Sequence, residues 1–302
     1  MAAQQRTVST GFDFPEGPSL GPDGYLYVAE MGGARVSRVK LESGEREEFA
    51  SVPGSLGATA FGPDGAIYVT NNGGLKFADG RPSGITDDNP GGSIGRVDLD
   101  GNVTKLYTEG DGEKLSGPND LVFDAEGGFY FTDPKHGDMF ADPPYWPLGH
   151  VYYATHDGSS IVKVATDYEL SNGIAISEDG KTLFVAETLT SKIWVHEIES
   201  PGKIGERREY AQLPEGHFPD GFTLDSEGYL ICAAVGAGAL IVFDPDGEQV
   251  ERIPTEDTDV TNVGFAGPDH STLFVTEGRM GRLVTFDWPR RGKVPFHTPW
   301  AS

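Results

Sequence analysis

The stretch Glu16-Gly17-Pro18-Ser19-Leu20-Gly21-Pro22-Asp23-Gly24-Tyr25-Leu26-Tyr27-Val28-Ala29-Glu30 decides the fold. It reads as an acidic residue on a tight approach, a short apolar strand, an Asp-Gly turn and a second strand. The same pattern opens again at Gly57, Asn119, Asn172, Asp220 and Asn262. Successive openings are 41, 62, 53, 48 and 42 residues apart. A unit of that length, made of short strands with turn residues between them, is the signature of a β-propeller. Asp-Gly between apolar strands favours a tight hairpin, because glycine accepts positive φ without steric cost. Each unit continues with two further strands, as Val36–Leu41 and Glu47–Ala50 do in the first. The reading is an all-β chain: one six-bladed β-propeller over residues 1–302, with four antiparallel strands per blade. The last unit lacks an outer strand. Gln5–Thr10 has strand character and is expected to supply it and close the ring; Lys293–Phe296 is the poorer donor, because Pro295 interrupts it.

Composition bounds the function. The net charge of −24 argues against nucleic acid and anionic membrane surfaces as partners. Most of this charge is scattered over outer strands and turns, which suits solubility. The single cysteine, Cys232, lies in an apolar strand and is expected to be buried and inert. Residues 1–7 show no apolar signal core and no stretch is long enough to span a membrane, so a cytoplasmic protein is expected.

Two units carry insertions after their second strand, at residues 73–90 and 134–149. Both are expected to overhang the rim where the openings lie, where long loops tend to carry function. Equivalent positions of a propeller converge on its axis. There Glu16, Asn119, Asn172 and Asp220 offer two carboxylates and two amide carbonyls. Oxygen donors without sulfur or imidazole suit a hard divalent cation: Ca²⁺ first, then Mn²⁺ or Mg²⁺, with Zn²⁺ less natural. Gly57 contributes no side chain, leaving one sector open for a substrate.

The strings Pro15-Glu16-Gly17-Pro18, Gly117-Pro118-Asn119-Asp120, Leu170-Ser171-Asn172-Gly173-Ile174, Pro219-Asp220-Gly221 and Thr261-Asn262-Val263 together resemble the motifs of the gluconolactonase / senescence marker protein / luciferin-regenerating enzyme family. The resemblance runs from about Gly11 to Phe286. It implies an axial divalent metal held by Glu16, Asn172 and Asp220, with Asn119 as a fourth ligand or facing the substrate. It also implies hydrolysis of a small-molecule lactone, most often a sugar lactone. The chain is similar in fold to diisopropyl fluorophosphatase, which has a second, structural Ca²⁺; one acidic ligand of that site falls at Thr223 here, which argues against such a site.

In a lactonase of this kind Asp220 would be the general base toward water, with Glu16 the competing base. No Gly-x-Ser-x-Gly elbow is present. Asp133, His217, Phe218 and Trp146 are expected to touch the substrate along with Asn119. The second-strand ends Glu30, Asn71, Asp133, Glu187 and Glu277 form another polar ring, expected to be mainly supportive. Phe77, Met139, Phe140, Tyr145, Trp146 and Phe218 make the loops more apolar than a sugar requires, so a hydrophobic lactone stays open. An organophosphate or aryl-ester hydrolase on the same site, and a non-catalytic binding propeller, are the alternatives.

Overall fold

The computed structural model describes residues 5–137, 147–267 and 269–297. Six antiparallel sheets stand around one axis. Blade 1 is Pro15–Leu20, Tyr25–Glu30, Arg35–Lys40 and Arg46–Ser51; blade 2 is Leu56–Phe61, Ile67–Asn71, Ser93–Val97 and Val103–Tyr107. Blade 3 is Leu121–Phe123, Gly128–Asp133, Gly149–Thr155 and Ile161–Tyr168. Blade 4 is Ser171–Ile176, Thr182–Glu187, Lys192–Ser200 and Arg208–Gln212, with the short Lys203–Ile204 folded back on its third strand. Blade 5 is Phe218–Leu224, Leu230–Val235, Ala239–Phe243 and Gln249–Pro254.

Blade 6 takes Val260–Ala266, Thr272–Glu277 and Arg282–Asp287 from the end of the chain, and its outer strand, Arg6–Thr10, from the beginning. Arg6 lies opposite Thr285 and Thr10 opposite Arg282, so the ring is closed by the N-terminal strand. Lys293–Phe296 is no strand. After Asp287 the chain straps across the end of the axis away from the opening residues. Trp288 Nε1 donates to Asp225, Lys293 N to the Leu224 carbonyl, and Gly292 bridges Asp225. At the far side His297 Nε2 meets the Asp124 carbonyl at 2.7 Å.

Local chemistry explains the repeat. In the Asp23-Gly24 turn the Asp23 carboxylate accepts from Tyr25 N and, at 2.8 Å, from the Tyr27 hydroxyl. Asp64 repeats this with Ala66 N and Tyr68. The turn residue thus fixes both the hairpin and a buried aromatic ring. Those rings pack between blades: Tyr27 meets Phe61 of blade 2 edge-on at 5.2 Å, and Tyr68 meets Phe123 of blade 3 at 5.0 Å. Inner strands are buried on both faces, whereas the fourth strands are largely exposed, as in Arg46–Ser51.

The first insertion folds into a hairpin, Leu75–Ala78 with Arg81–Ile85. No helix of the described residues is long and apolar enough to cross a membrane.

Deleting residues 1–10 strips blade 6 of its outer strand. A loss of about 3 kcal/mol would lower the melting midpoint by roughly 6 °C. Circular-dichroism melts of the full and shortened chains measure this; coincident curves would refute closure by this strand.

Candidate active site

The inner strands do not run regularly past the opening positions. Pairing with the second strand slips between Glu16 and Ser19, Leu56 and Thr59, Ser171 and Ile174, Pro219 and Phe222, and Val260 and Asn262. Each slip is a bulge, and a bulge re-aims side chains that a flat strand would hold in alternation. The opening residues are thereby turned toward the axis.

Threonine hydroxyls fasten these bulges from blade to blade. Thr59 Oγ1 donates to the Gly17 carbonyl, Thr70 to Asn119 at 2.6 Å, Thr132 to Asn172 at 2.8 Å and Thr188 to Pro219 at 2.9 Å. Thr261 joins blade 6 to blade 1 through the Pro15 carbonyl at 2.8 Å. The approach is close enough to exclude side chains. A Cβ on Gly17, which has φ +34°, would stand 2.3 Å from Ala58 Cα, and one on Gly173 would stand 2.3 Å from the Asp220 carbonyl. Gly57 is glycine for the same reason: its Cβ would stand 2.1 Å from the Asn119 carbonyl oxygen. That sector is filled by the Asn119 backbone and is not the expected gap for a substrate.

Three carboxyl groups gather here. Glu16, Asp120 and the side chain of Asn172 are buried, while Asp220 is partly open to solvent. Burial, then the charges of Asp220 and Asp120, push Glu16 well above the usual carboxylate range. Asp220 is raised by burial first and by Asp120 next. Burial holds Asp120 up to about 7, although it accepts from Leu121 N at 2.8 Å. Asn262 donates toward both Glu16 and Asp120. Asn172 donates toward Asp220, yet its Oδ1 is buried without a hydrogen-bond partner.

The contrast with the rest of the molecule is informative. Buried Glu30 is paired with Arg35 and Arg46, Glu277 with Arg282, Asp225 with Arg290 and Asp259 with Arg81. No ion pair among the described residues involves Glu16, Asp120 or Asp220. A buried orphan carbonyl beside unpaired carboxylates fits an added cation. Among the described residues no three His, Cys, Asp or Glu side chains converge as a metal site by themselves, so the fit rests on the mixed carboxylate and amide set.

Below the carboxyl groups a cavity of about 150 Å³ continues along the axis, touching Asp120, Asn262 and Thr223 and stoppered by Lys293 and Phe296. It does not reach Glu16 or Asp220, so a substrate that meets those carboxyl groups would approach from the other side.

The remaining expected residues divide. Asp133 is buried and its carboxylate accepts from Ser116 N at 3.0 Å and Gly117 N at 2.6 Å, so it shapes the approach to Asn119. Glu30, Glu187 and Glu277 hold Asp13 N, Glu169 N and Asp257 N in the same way, so the second polar ring braces the loops before the openings. His217 and Phe218 are half-buried on the rim just before Asp220, with His217 Nδ1 unpartnered. His136 braces blade 3 to blade 2 through the Asn72 carbonyl at 3.0 Å. Trp146, with Met139, Phe140 and Tyr145, lies outside the described residues. Asn119 is in place on the inner rim. Asp120 and Asn262 were not expected as site residues; their place beside Asn119 and at the sixth opening was the available signal.

The family described as the SMP-30/Gluconolactonase/LRE-like region matches residues 14–279. Diisopropyl-fluorophosphatase of Loligo vulgaris is 33% identical over 213 residues, 66% of this chain and 67% of the relative. Lactonase drp35 of Staphylococcus aureus is 35% identical over 139 residues, 45% of this chain and 41% of that one. Among solved structures, a gluconolactonase of Xanthomonas campestris superposes with TM-score 0.77 at 27% identity, covering 95% of this chain and 90% of the other. These likenesses support a hydrolase of this family.

The raised carboxyl group gives a pH signature. With Asp120 at about 7 in the fold and an ordinary value of about 3.9 when unfolded, the fold holds the extra proton between those values. Its contribution is present at low pH and lost as pH rises toward 7. Half-buried His136 and buried His150, His196 and His270 are shifted down and act in the opposite sense, so the comparison needs a variant. In chelator, Asp120→Asn should gain stability relative to wild type as pH rises from about 4 to about 7. Excess Ca²⁺ should shrink that gain. A pH-independent difference in melting midpoint would exclude this account.

Proposed function

The chain belongs to the SMP-30/gluconolactonase/LRE-like family, and from that premise we propose that it is a divalent-metal-dependent hydrolase that opens a lactone ring. The observation that carries the reading is the unpartnered Asn172 Oδ1 beside three carboxyl groups that have no arginine or lysine partner. Glu16, Asn119, Asn172 and Asp220 would hold the cation, Ca²⁺ first, which supplies Lewis-acid polarisation of the carbonyl oxygen.

The chain's own groups do the rest. Asp220 is partly open to the upper side, where a lactone and a water meet it. Its raised pKa makes it a stronger base than an ordinary aspartate. It takes a proton from water as the oxygen attacks the carbonyl carbon. The ring C–O bond then breaks, and the proton returns to the departing alkoxide. Glu16, further buried and tied to Asn262, is better placed to orient than to exchange protons with solvent. Asp120 shares the Asn262 amide and fixes the floor between Glu16 and Asp220.

A second reading, an organophosphate hydrolase using the same residues, draws on the longer match to diisopropyl-fluorophosphatase. A panel of sugar, aliphatic and aromatic lactones with one fluorophosphonate, assayed after chelation and after return of Ca²⁺ or Mn²⁺, separates the two.

Asp220→Asn should lower kcat by about 10²–10⁴-fold, the range for loss of a general base, without changing the circular-dichroism spectrum. Full turnover in this variant would remove Asp220 from the role of base.

A further inference from the structure

The Leu75–Ala78 and Arg81–Ile85 hairpin springs from blade 2 but is fastened elsewhere. Arg81 spans to blade 6. Its Nε pairs with Asp259 Oδ2, its Nη2 with Asp259 Oδ1 at 2.6 Å, and Nη2 also reaches Thr258 Oγ1 at 3.5 Å. Asp259 is buried, while Arg81 is half-exposed, so the guanidinium comes down onto a fixed carboxylate. Between the two ends the hairpin crosses blade 1, where Phe77 packs edge-on against Phe14 with ring centroids 5.7 Å apart.

Both anchor points border the site. Phe14 lies two residues before Glu16, and Asp259 lies three residues before Asn262 and is close enough for its charge to act on Asp220. Phe14 itself has φ +53°, a left-handed conformation that is strained for a non-glycine residue. It is held there by Met31 N on its carbonyl at 3.0 Å and by packing against Phe77, with Gly278 leaving room for its ring. Strain of this kind persists where the surroundings over-determine it, commonly at ligand clamps.

From these contacts we propose that the Leu75–Ile85 hairpin is the specificity-determining wall of the site, latched over blade 1 by Arg81 on Asp259. Arg81 is a positioning residue. The inference rests on the hydrolase reading above for its substrate. The wall is apolar where Phe77 meets Phe14, and its one arginine is taken up by Asp259 through two hydrogen bonds. Its lysine, Lys76, is paired with Asp87 at 2.6 Å, so the hairpin offers no unpaired cation to an anionic substituent, and it narrows the mouth on the side of blades 1 and 6. The class selected is a compact, uncharged lactone, with bulky aryl lactones disfavoured.

The test compares Arg81→Ala, Arg81→Lys and Asp259→Asn with wild type. In hydrogen exchange the amides of residues 75–85 should lose protection by about tenfold in Arg81→Ala and Asp259→Asn, and less in Arg81→Lys. In kinetics the preference for a single-ring aliphatic lactone over an aryl lactone should fall by about fivefold in Arg81→Ala, through KM more than kcat, and partly return in Arg81→Lys. Unchanged exchange in both unlatched variants overturns the latch. Faster exchange with an unchanged preference overturns the wall. A wild type inactive on every lactone would sink the proposed function instead, and the exchange arm would still decide the latch.

Discussion

Everything at the centre depends on how closely six inner strands approach one axis. The approach is set by hydroxyl–carbonyl bonds from one blade to the next, such as Thr132 to Asn172 and Thr261 to Pro15. A carbonyl at a bulge has lost its ladder partner, and left buried and unpaired it would cost about 1–3 kcal/mol. The threonines remove that cost where they bond and tie five of the six neighbouring blade pairs together. Glycine then becomes obligatory beside the bulges, because backbone of the next blade occupies the space of a Cβ. The cluster of carboxyl groups follows from this compression and not from any one strand.

The same geometry separates two kinds of buried acid. Those at the second-strand ends accept backbone N–H bonds, and Glu30 and Glu277 add arginines. Glu16, Asp120 and Asp220 have no arginine or lysine partner, and burial together with their neighbours' charges raises Glu16 and Asp220. Mutually raised carboxyl groups without a cation are gathered at this one place, as they commonly are at sites that bind or react.

Much of this was legible in the sequence. Six repeats with Asp-Gly turns read directly as blades, because turn chemistry and strand pattern act locally. The closing role of residues 6–10 was legible by counting strands. Asp120 was not, since in a regular strand neighbours such as Asn119 and Asp120 face opposite ways. The change in pairing that brings such residues to one place is a property of three dimensions. The span of Arg81 to Asp259 was likewise hidden, because 178 residues separate the partners. So was the strap at Lys293, whose sequence reads only as a poor strand.

The pairing of Arg6–Thr10 with Arg282–Asp287 also dictates an order of events. Blades 1 to 5 are each made of consecutive chain and can form as the chain lengthens. The sixth cannot, because its partners sit at opposite ends of the sequence. Joining them closes a loop nearly as long as the molecule, whose entropic cost grows only slowly with length, but which delays the contact until almost all the chain exists. Until then Arg282–Asp287 presents an open strand edge, the kind of surface that recruits other chains. Ring closure is therefore a late step of folding, and the moment at which the molecule ceases to be vulnerable to aggregation.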